Sequence, residues 1–381
     1  MSGMVRRSDE QTDLIALLKD SATGFLATGH EFARLRALRE TPAGFDHDML
    51  RRMAAMGWLG LRVPEAGGGA GLGIEVAAAL AEVFGKVLLP EPFILCAVMP
   101  AALLADVTEG AQRTALLSGI ASGELVVAPA LFERLDQIDP LPITTRLDPR
   151  GNAFVLNGTK LFVLSAVDRY LVGAQCGGET VLVAVAADAT GITRSERRMT
   201  DGTMACDIAF ADVAVGDDAI LARGAVAEVA LAGAINEGVL AASAQLCGIA
   251  AGAMDIALAY LRQREQFGRP IGSFQALQHR AVDLLLQIEL AGAAWRNAAR
   301  RYADDPGAEA SLAAVSAAKA RCSDVALLVS RASIQFHGAI GFTDEADIGF
   351  FLKAAMRFAP MLGNASRHRH RFFDLHKELA A

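Results

Sequence analysis

The 381-residue sequence contains few cysteines and has no excess of positive charge. The five cysteines include no CxxC pair, which is the spacing typical of a structural zinc site. Lysine and arginine number 36 against 43 aspartate and glutamate residues, which gives a formal net charge of −7. These features exclude a disulfide scaffold, a standard zinc site and an overall cationic surface for nucleic acid or anionic lipid.

Long apolar runs are also missing. Glu, Asp, Arg and Gln interrupt the alanine-rich stretches before any reaches the roughly 18 residues that a membrane-spanning helix needs. The N-terminal stretch MSGMVRRSDEQTD becomes acidic where a signal peptide would become apolar. We therefore expect a cytoplasmic protein without a membrane segment, in which the scattered cysteines are reduced thiols.

Apolar residues, by contrast, make up 53% of the chain, enough for a large buried core. At about 150 residues per domain, the length predicts two or three domains. The composition changes twice along the chain, so we predict a helical domain over 1–121, a β domain over 122–222 and a helical bundle over 223–381. The fold class expected from this order is α+β.

The first zone has apolar residues at helical spacing, up to Pro64. The glycine-rich stretch 66–73 follows, and since it lacks the spacing of a phosphate-binding loop it is interpreted as a flexible connector. The second zone alternates short β-rich runs with turn residues, including the 148–152 stretch and the Asn157-Gly158 pair.

The third zone reads as long helices joined by short links, which is typical of an antiparallel bundle. The first helix is predicted over about 225–266. The second is expected to begin at Ser273, whose hydroxyl would cap the helix start, and the third to span about 308–337.

Two segments of the third zone carry groups suited to a nucleotide. In the segment 264–278, Arg264 offers a forked guanidinium for phosphate, Phe267 offers a ring for stacking, and Gln275 lies nearby. In the segment 335–342, Gln335 precedes Gly338, which permits a close backbone approach to a ligand. Taken singly, each segment is equally consistent with an ordinary interhelical turn or helix end.

Together the two segments resemble the C-terminal bundle of acyl-CoA dehydrogenases, whose motifs are RxxFG and QxxGGxGF. The stretches GWLGLRVPE (57–65) and NGTK (157–160) are similar to further motifs of that family, in the same order. Through QFGRPIGSFQALQHRAVD (266–283) the chain is most similar to the small-subunit type of pimeloyl-CoA dehydrogenase.

The resemblance implies a helical N-terminal domain, a β barrel or sandwich and an antiparallel four-helix bundle. It also implies FAD as cofactor, an acyl-CoA substrate desaturated between its α and β carbons, and an electron-transfer flavoprotein as electron acceptor. One subunit's β domain would hold the flavin ring, and a neighbour's bundle would hold the diphosphate and adenosine. The implied cofactor-binding residues are Arg264, Phe267, Gln275, Gln335, Gly338, Phe162 and Ser165.

The sequence departs from the family pattern where the redox chemistry takes place. The position of the usual catalytic glutamate is Leu362, and a leucine cannot accept a proton. The β domain also lacks the family's flavin loop in the stretch 129–136. The strand that stacks on the flavin has Phe162 in place of tryptophan, with Ser165 as the remaining hydroxyl.

These departures predict that two different subunits contribute to one active site. The chain would pair with a paralogous acyl-CoA dehydrogenase subunit that supplies the base, in an α₂β₂ hetero-tetramer, the alternative being a tetramer of this chain alone. Glu237 is the rival candidate for the base, and its alternative role is a structural one at the start of a helix. Two other functions stay open: a flavin monooxygenase or oxidase of the same fold, and a non-catalytic structural subunit.

Overall fold

The computed structural model describes residues 2–27, 32–107, 109–135 and 137–380, with side chains omitted for 2–9 and 377–380. The chain forms two compact units. The helical unit comprises Met1–Arg36, Ile74–Leu89 and Leu240–Ala381, and the sheet unit comprises Ala37–Gly73 and Pro90–Val239. The helices are α1 (Ser2–Ala27), α2 (Phe32–Leu38), α3 (His47–Ala55), α4 (Ile74–Lys86), α5 (Met99–Ala105), α6 (Ala111–Ser122), α7 (Gly224–Gln263), α8 (Gln275–Asp304), α9 (Glu309–His337), α10 (Ile348–Phe358) and α11 (Ala365–Ala380).

The strands follow α6 and precede α7. They are β1 (Val127–Ala130), β2 (Arg146–Arg150), β3 (Ala153–Leu164), β4 (Arg169–Cys176), β5 (Glu179–Ala186), β6 (Ile192–Arg198), β7 (Met204–Val215) and β8 (Ile220–Arg223). Seven of them form one sheet in the order β6-β7-β3-β2-β4-β5-β8, and β1 pairs in parallel with β4. The predicted succession of helical, β and helical zones is thus confirmed, whereas the domain limits at 121/122 and 222/223 stay a prediction.

The core of the sheet unit comes from apolar side chains of β3, β4, β5 and β7. In β5 the residues from Thr180 to Val185 are all buried, a continuous pattern that is typical of a strand covered on both faces. Tyr170 is fully buried in this cluster, and its hydroxyl accepts a hydrogen bond from Arg194 at 3.1 Å. The sheet therefore forms a rigid support for the loops at its ends.

In the helical unit, α4 and α7 approach each other very closely. A Cβ atom placed on Gly248 would lie 1.9 Å from the carbonyl oxygen of Glu82, and one on Gly85 would lie 2.1 Å from that of Gln245. Only glycine permits two helix backbones to come this close. On α8 the buried residues recur three or four positions apart, which is the period of a helix face packed on neighbours: Ala281, Leu284, Ile288, Ala291 and Trp295.

Three predictions about local structure are wrong. Asn157 and Gly158, expected at a turn, lie within β3, where the pairing with β7 shifts register between Leu156 and Gly158. The helix α8 begins at Gln275, with Phe274 at the N-cap and no side-chain cap, because the hydroxyl of Ser273 instead donates to the Pro270 carbonyl oxygen at 2.7 Å. The glycine-rich stretch 66–73 is a tightly bonded turn, not a flexible connector. A Cβ atom on Gly69 would lie 2.1 Å from the Val63 carbonyl oxygen, so glycine is needed there for close packing.

One described helix, α7, is long and apolar enough to cross a membrane by length and composition. In its most apolar window, 83% is buried inside the structure. The core helix of a globular domain meets the same two criteria, and a single such helix is weak evidence for a membrane span.

Candidate functional site

The first candidate segment is a tight hairpin between α7 and α8. The strands β9 (Glu265–Gln266) and β10 (Arg269–Pro270) pair in antiparallel fashion, and Phe267 and Gly268 form the turn with φ angles of 56° and 77°. Two successive positive φ angles are typical of the mirror-image turns that close two-residue hairpins. The turn holds the ring of Phe267 outward, with 91% of the residue exposed.

Two of the predicted polar residues beside this hairpin have side chains without a partner among the described residues. Arg264 and Gln275 are exposed, and their side chains make no hydrogen bond or ion pair in that part of the chain. The backbone of Arg264 is fixed, because its amide donates to the Tyr260 carbonyl oxygen and its own carbonyl accepts from Ile271, both at 2.8 Å. A held backbone with an unpaired guanidinium suits the binding of an external anion.

The second candidate segment lies at the end of α9. Gly338 follows the last helical residue with a φ of 66°, and a Cβ atom there would meet nothing within 4 Å. Gln335 is exposed and, within the described chain, its side chain has no partner. His337 is buried instead: its Nδ1 lies 2.7 Å from the Ser333 carbonyl oxygen and its ring stacks on Tyr260 at 4.2 Å. His337 is therefore a residue of the bundle interior.

We refer to Arg264, Phe267, Gln275, Gln335 and Gly338 as the adenosine-side residues. All five belong to the helical unit, and they combine an open backbone approach at Gly338 with an exposed ring and unpaired polar groups. These are the groups that hold a nucleotide's phosphates and base. The residues present therefore fit the diphosphate and adenosine part of FAD.

The flavin-ring residues, Phe162 and Ser165, lie in the sheet unit and, unlike the adenosine-side residues, are bonded to other side chains of the chain. Phe162 occupies a β-bulge between β3 and β7, with a φ of 54°, and its backbone amide donates to Asp207 Oδ1 at 3.2 Å. The guanidinium of Arg197 lies over the Phe162 ring, 5.3 Å from its centroid, and forms an ion pair with Asp207. The hydroxyl of Ser165 donates to Glu196.

Within the chain, Phe162 thus uses one ring face and its amide, and Ser165 uses its hydroxyl, while Phe162 stays 41% exposed. A flavin ring would need the ring face for stacking and the polar groups for hydrogen bonds. As arranged, these two residues do not fit the isoalloxazine part of FAD.

The stretch 129–136, which stands where the family has its flavin loop, is also bonded internally; Asp136 lies outside the described residues. Glu133 accepts hydrogen bonds from Lys160 at 2.7 Å, and from the amides and hydroxyls of Thr144 and Thr145. Burial by itself raises the pKa of Glu133, but these bonds outweigh it and lower the pKa to about 2. Glu133 is a permanently ionised anchor of this loop.

The turn that carries Leu362 joins α10 to α11. Leu362 is buried and has a φ of 57°, followed by Gly363 with a φ of 102°. The carbonyl oxygen of Leu362 lies 2.9 Å from Nε2 of the buried His368. Burial lowers the pKa of His368 to about 4, with a smaller effect of Lys319, so the imidazole is neutral at pH 7.

Beneath this turn lies Lys319 of α9, which is fully buried. Its ammonium donates to the carbonyl oxygens of Ala359 at 2.8 Å, Phe358 at 3.2 Å and Gly363 at 3.2 Å, and to the Ser323 hydroxyl at 3.1 Å. Burial lowers the pKa of Lys319 to about 7. The lysine therefore fixes the turn backbone on which Leu362 stands.

Neither Lys319 nor His368 was among the residues predicted for the site. The signal for Lys319 is a single lysine in an otherwise small and apolar stretch of α9, VSAAKARC. Such a lysine is expected to be exposed unless a partner is known, because lysine is almost never buried without one. Its partners are carbonyl oxygens about 40 positions further along the chain, and they cannot be read from local sequence.

Glu237, the rival candidate for the base, is buried in the sheet unit and paired with Arg62. Nε of Arg62 donates to Oε2 of Glu237 at 2.8 Å, and Nη2 donates to the other carboxylate oxygen. Nη1 of the same guanidinium bonds the Leu72 carbonyl oxygen. This forked contact occupies both oxygens that a base would use, and it favours a structural role for Glu237. The role predicted for it at a helix start is wrong, because Glu237 lies 13 positions after the first residue of α7 and is held there by Arg62.

Backbone strain marks the same places. Among the described residues, five other than glycine have a positive φ: Leu88, Phe162, Asp212, Phe267 and Leu362. Three of these five belong to the adenosine-side residues, the flavin-ring residues or the turn at the usual base position. Bulky residues adopt this conformation only where the surrounding structure imposes it, typically at functional sites.

Comparison with known proteins supports the family resemblance. The family model "Acyl-CoA dehydrogenase, N-terminal domain" matches residues 12–124, and "Acyl-CoA dehydrogenase, C-terminal domain" matches residues 227–371. Acyl-CoA dehydrogenase FadE34 of Mycobacterium tuberculosis is 30% identical over 373 residues, which cover 94% of this chain and 47% of FadE34. The chain thus spans about half the length of that relative.

Acyl-CoA dehydrogenase IpdE2 of Mycolicibacterium smegmatis is 29% identical, over 91% of this chain and 94% of its own length. Among solved structures, a variant of the Tcur3481-Tcur3483 steroid ACAD has a TM-score of 0.85 and 29% identity, and the match covers 97% of this chain and 99% of that one. The predicted α+β fold is therefore confirmed, and so is the resemblance on which the expectation of FAD rests. The chain belongs to the acyl-CoA dehydrogenase family of flavin-dependent oxidoreductases.

Proposed function

We propose that this chain is the base-lacking subunit of a heteromeric, FAD-dependent acyl-CoA dehydrogenase. The complex would desaturate an acyl-CoA thioester between its α and β carbons. FAD, when bound, supplies the acceptor for the hydride that leaves the β carbon. This chain would contribute its helical unit, and a paralogous subunit would contribute the base and the groups around the flavin ring.

One observation carries the proposal: the two halves of the implied cofactor site differ in whether their groups are available to a ligand. Four of the adenosine-side residues are exposed and Gly338 is half-buried, and the polar side chains among them are unpaired within the described chain. The flavin-ring residues, by contrast, contact Arg197, Asp207 and Glu196. In a tetramer of this chain alone, every subunit would need both halves free, one for its own flavin ring and one for a neighbour's adenosine and diphosphate. A chain that completes a partner's site needs only the half for the adenosine and diphosphate.

In this role each adenosine-side residue has a physical task. The guanidinium of Arg264 would bind a phosphate of the partner's FAD through a charge-assisted contact, and Gln275 and Gln335 would donate to its polar edges. The exposed ring of Phe267 would cover an apolar or aromatic surface and exclude water there. Gly338 would allow the backbone to approach the ligand without a Cβ in the way.

Leu362 explains why a partner is required for proton removal. It stands on a strained turn held by Lys319 and His368, so the backbone frame is present while the side chain cannot accept a proton. The α proton of the substrate would therefore pass to a carboxylate of the paralogous subunit. As substrate class we propose a steroid or fatty acyl-CoA thioester, since the steroid ACAD named above is similar over nearly the whole chain. We also propose an electron-transfer flavoprotein as the electron acceptor.

The test is to produce the chain alone and together with a paralogous acyl-CoA dehydrogenase subunit from the same genome, and to count flavins. The proposal expects a colourless single chain and a complex with one flavin per pair of chains, bleached anaerobically by an acyl-CoA. A single chain with one FAD per protomer that oxidises a thioester unaided would refute it.

The same experiment separates the other two functions. Bleaching only by a reductase, followed by oxygen-dependent hydroxylation, would identify a monooxygenase. A colourless oligomer that stays inert after mixing with its paralogue would identify a structural subunit.

A further inference from the structure

In the sheet unit, charged side chains contact the flavin-ring residues Phe162 and Ser165. Three charged residues close the flavin-ring side from within: Arg197 and Glu196 on β6, and Asp207 on β7. They lie on neighbouring paired strands, with Glu196 opposite Cys206 and Arg197 opposite Ala205. Their contacts are therefore held by the sheet itself.

Each of the three residues engages one group that a flavin ring would use. Arg197 lies over the Phe162 ring at 5.3 Å from the centroid. Asp207 accepts the Phe162 amide at 3.2 Å through one oxygen and pairs with Arg197 through the other. Glu196 takes the hydroxyl of Ser165.

A guanidinium over an aromatic ring occupies one of the two faces on which a flat ligand can stack. Its charge is compensated by Asp207, so displacing it would break an ion pair as well as the cation–π contact. The side chain of Arg197 is 42% exposed and that of Asp207 is 21% exposed, which places the pair at the surface where a ligand would arrive.

We infer that Arg197, held by Asp207, is the specificity-determining residue that excludes a flavin ring from this chain's own sheet unit. The inference rests on the proposed function, and it goes further by naming the blocking group. On this inference Arg197 itself blocks a flavin ring, in addition to the effect of the flavin-binding contacts that the sheet unit lacks.

The experiment uses riboflavin, which has the isoalloxazine ring without phosphate or adenosine, so that the adenosine-side residues play no part. The purified full chain is compared as Phe162→Trp and as Phe162→Trp with Arg197→Ala, because stacking on tryptophan quenches flavin fluorescence. The matched control combines Phe162→Trp with Arg146→Ala, which removes an exposed arginine of the same unit paired with Asp148 at 3.1 Å. Arg197→Gln serves as a second uncharged variant, and circular dichroism confirms that each variant is folded.

Removing Arg197 in the Phe162→Trp background is expected to give saturable quenching, with riboflavin affinity raised about tenfold over Phe162→Trp alone. The Arg146→Ala control is expected to match Phe162→Trp alone. Equal riboflavin affinity with and without Arg197, in folded variants, would overturn the inference. That result would leave the proposed function intact as long as the wild-type complex holds one flavin per pair, whereas two flavins per pair would overturn both.

Discussion

The pair Arg62–Glu237 allows the structural and the catalytic role of Glu237 to be distinguished by measurement. The carboxylate is bound through both oxygens, with 10% of the Glu237 side chain and 19% of the Arg62 side chain exposed. Removing one partner of a buried pair costs about 3–5 kcal/mol, because the other charge stays buried without compensation. Since Arg62 retains some solvent contact and a bond to the Leu72 carbonyl, we expect about 3 kcal/mol for Glu237→Gln.

The assay is urea denaturation of a double-mutant cycle made of Glu237→Gln, Arg62→Met and the two combined. The combined variant is expected to lose less stability than the sum of the single variants, with a coupling of about 2 kcal/mol. Arg146→Met is the matched control, because its pair with Asp148 is exposed and is expected to contribute less than about 1 kcal/mol.

The same variants are then assembled with the paralogous subunit and assayed with an acyl-CoA. If Glu237 is structural, Glu237→Gln lowers stability and leaves kcat per flavin close to the wild-type value. The reasoning would be refuted by a Glu237→Gln variant with unchanged stability and full flavin content but no turnover, since that pattern identifies the base.

Three further predictions concern the other parts of the site. Arg264→Ala is expected to lower FAD retention by the complex through loss of a phosphate contact that contributes about 1.5–3 kcal/mol; unchanged flavin content after dialysis would contradict the assignment. Burial lowers the pKa of Lys319 from 10.5 to about 7. Below pH 7 the lysine is charged in both the folded and the unfolded protein, so burying the charge lowers the free energy of unfolding by its full amount. This loss of stability decreases as the pH rises from 7 toward 10.5. The stability of the wild type relative to Lys319→Met should therefore rise between pH 7 and 10 in thermal melts, and a pH-independent difference would refute this. Leu362→Glu alone is expected to give no dehydrogenation by the single chain, because the flavin-ring residues stay engaged; robust flavin reduction by acyl-CoA in that variant would show the interpretation to be wrong.

The predictable part of the fold came from local periodicity. Apolar residues at intervals of three or four positions indicate a helix at α8, where Ala281, Leu284 and Ile288 are buried and Leu285 is 39% exposed. The start of α8 was predicted wrongly because the Ser273 hydroxyl can either accept from the amides of a following helix or donate to a preceding carbonyl oxygen, and sequence alone does not tell which bond forms. Short polar side chains at helix starts are ambiguous for this reason.

The adenosine-side residues were found from sequence because they fall in two short motifs, and the hairpin geometry at Phe267 follows from adjacent residues. Their role in binding FAD stays a prediction for the flavin counts to decide. The groups that close the flavin-ring side could not be found in this way. Arg197 is 35 positions from Phe162 and forms no motif with it, so only the pairing of β6 with β7 and of β7 with β3 brings them together.

By itself the sequence determined the succession of helical and β segments and the family resemblance, and it predicts that Leu362 stands where relatives have a proton acceptor, since each depends on residue identity and local spacing. Only the tertiary structure decided which candidate groups are available to a ligand. Arg62 reaches Glu237 across 175 positions, and Lys319 reaches Ala359 across 40. Hydrogen bonds and ion pairs act over a few ångströms of space irrespective of distance along the chain, so their partners are fixed by how the elements pack.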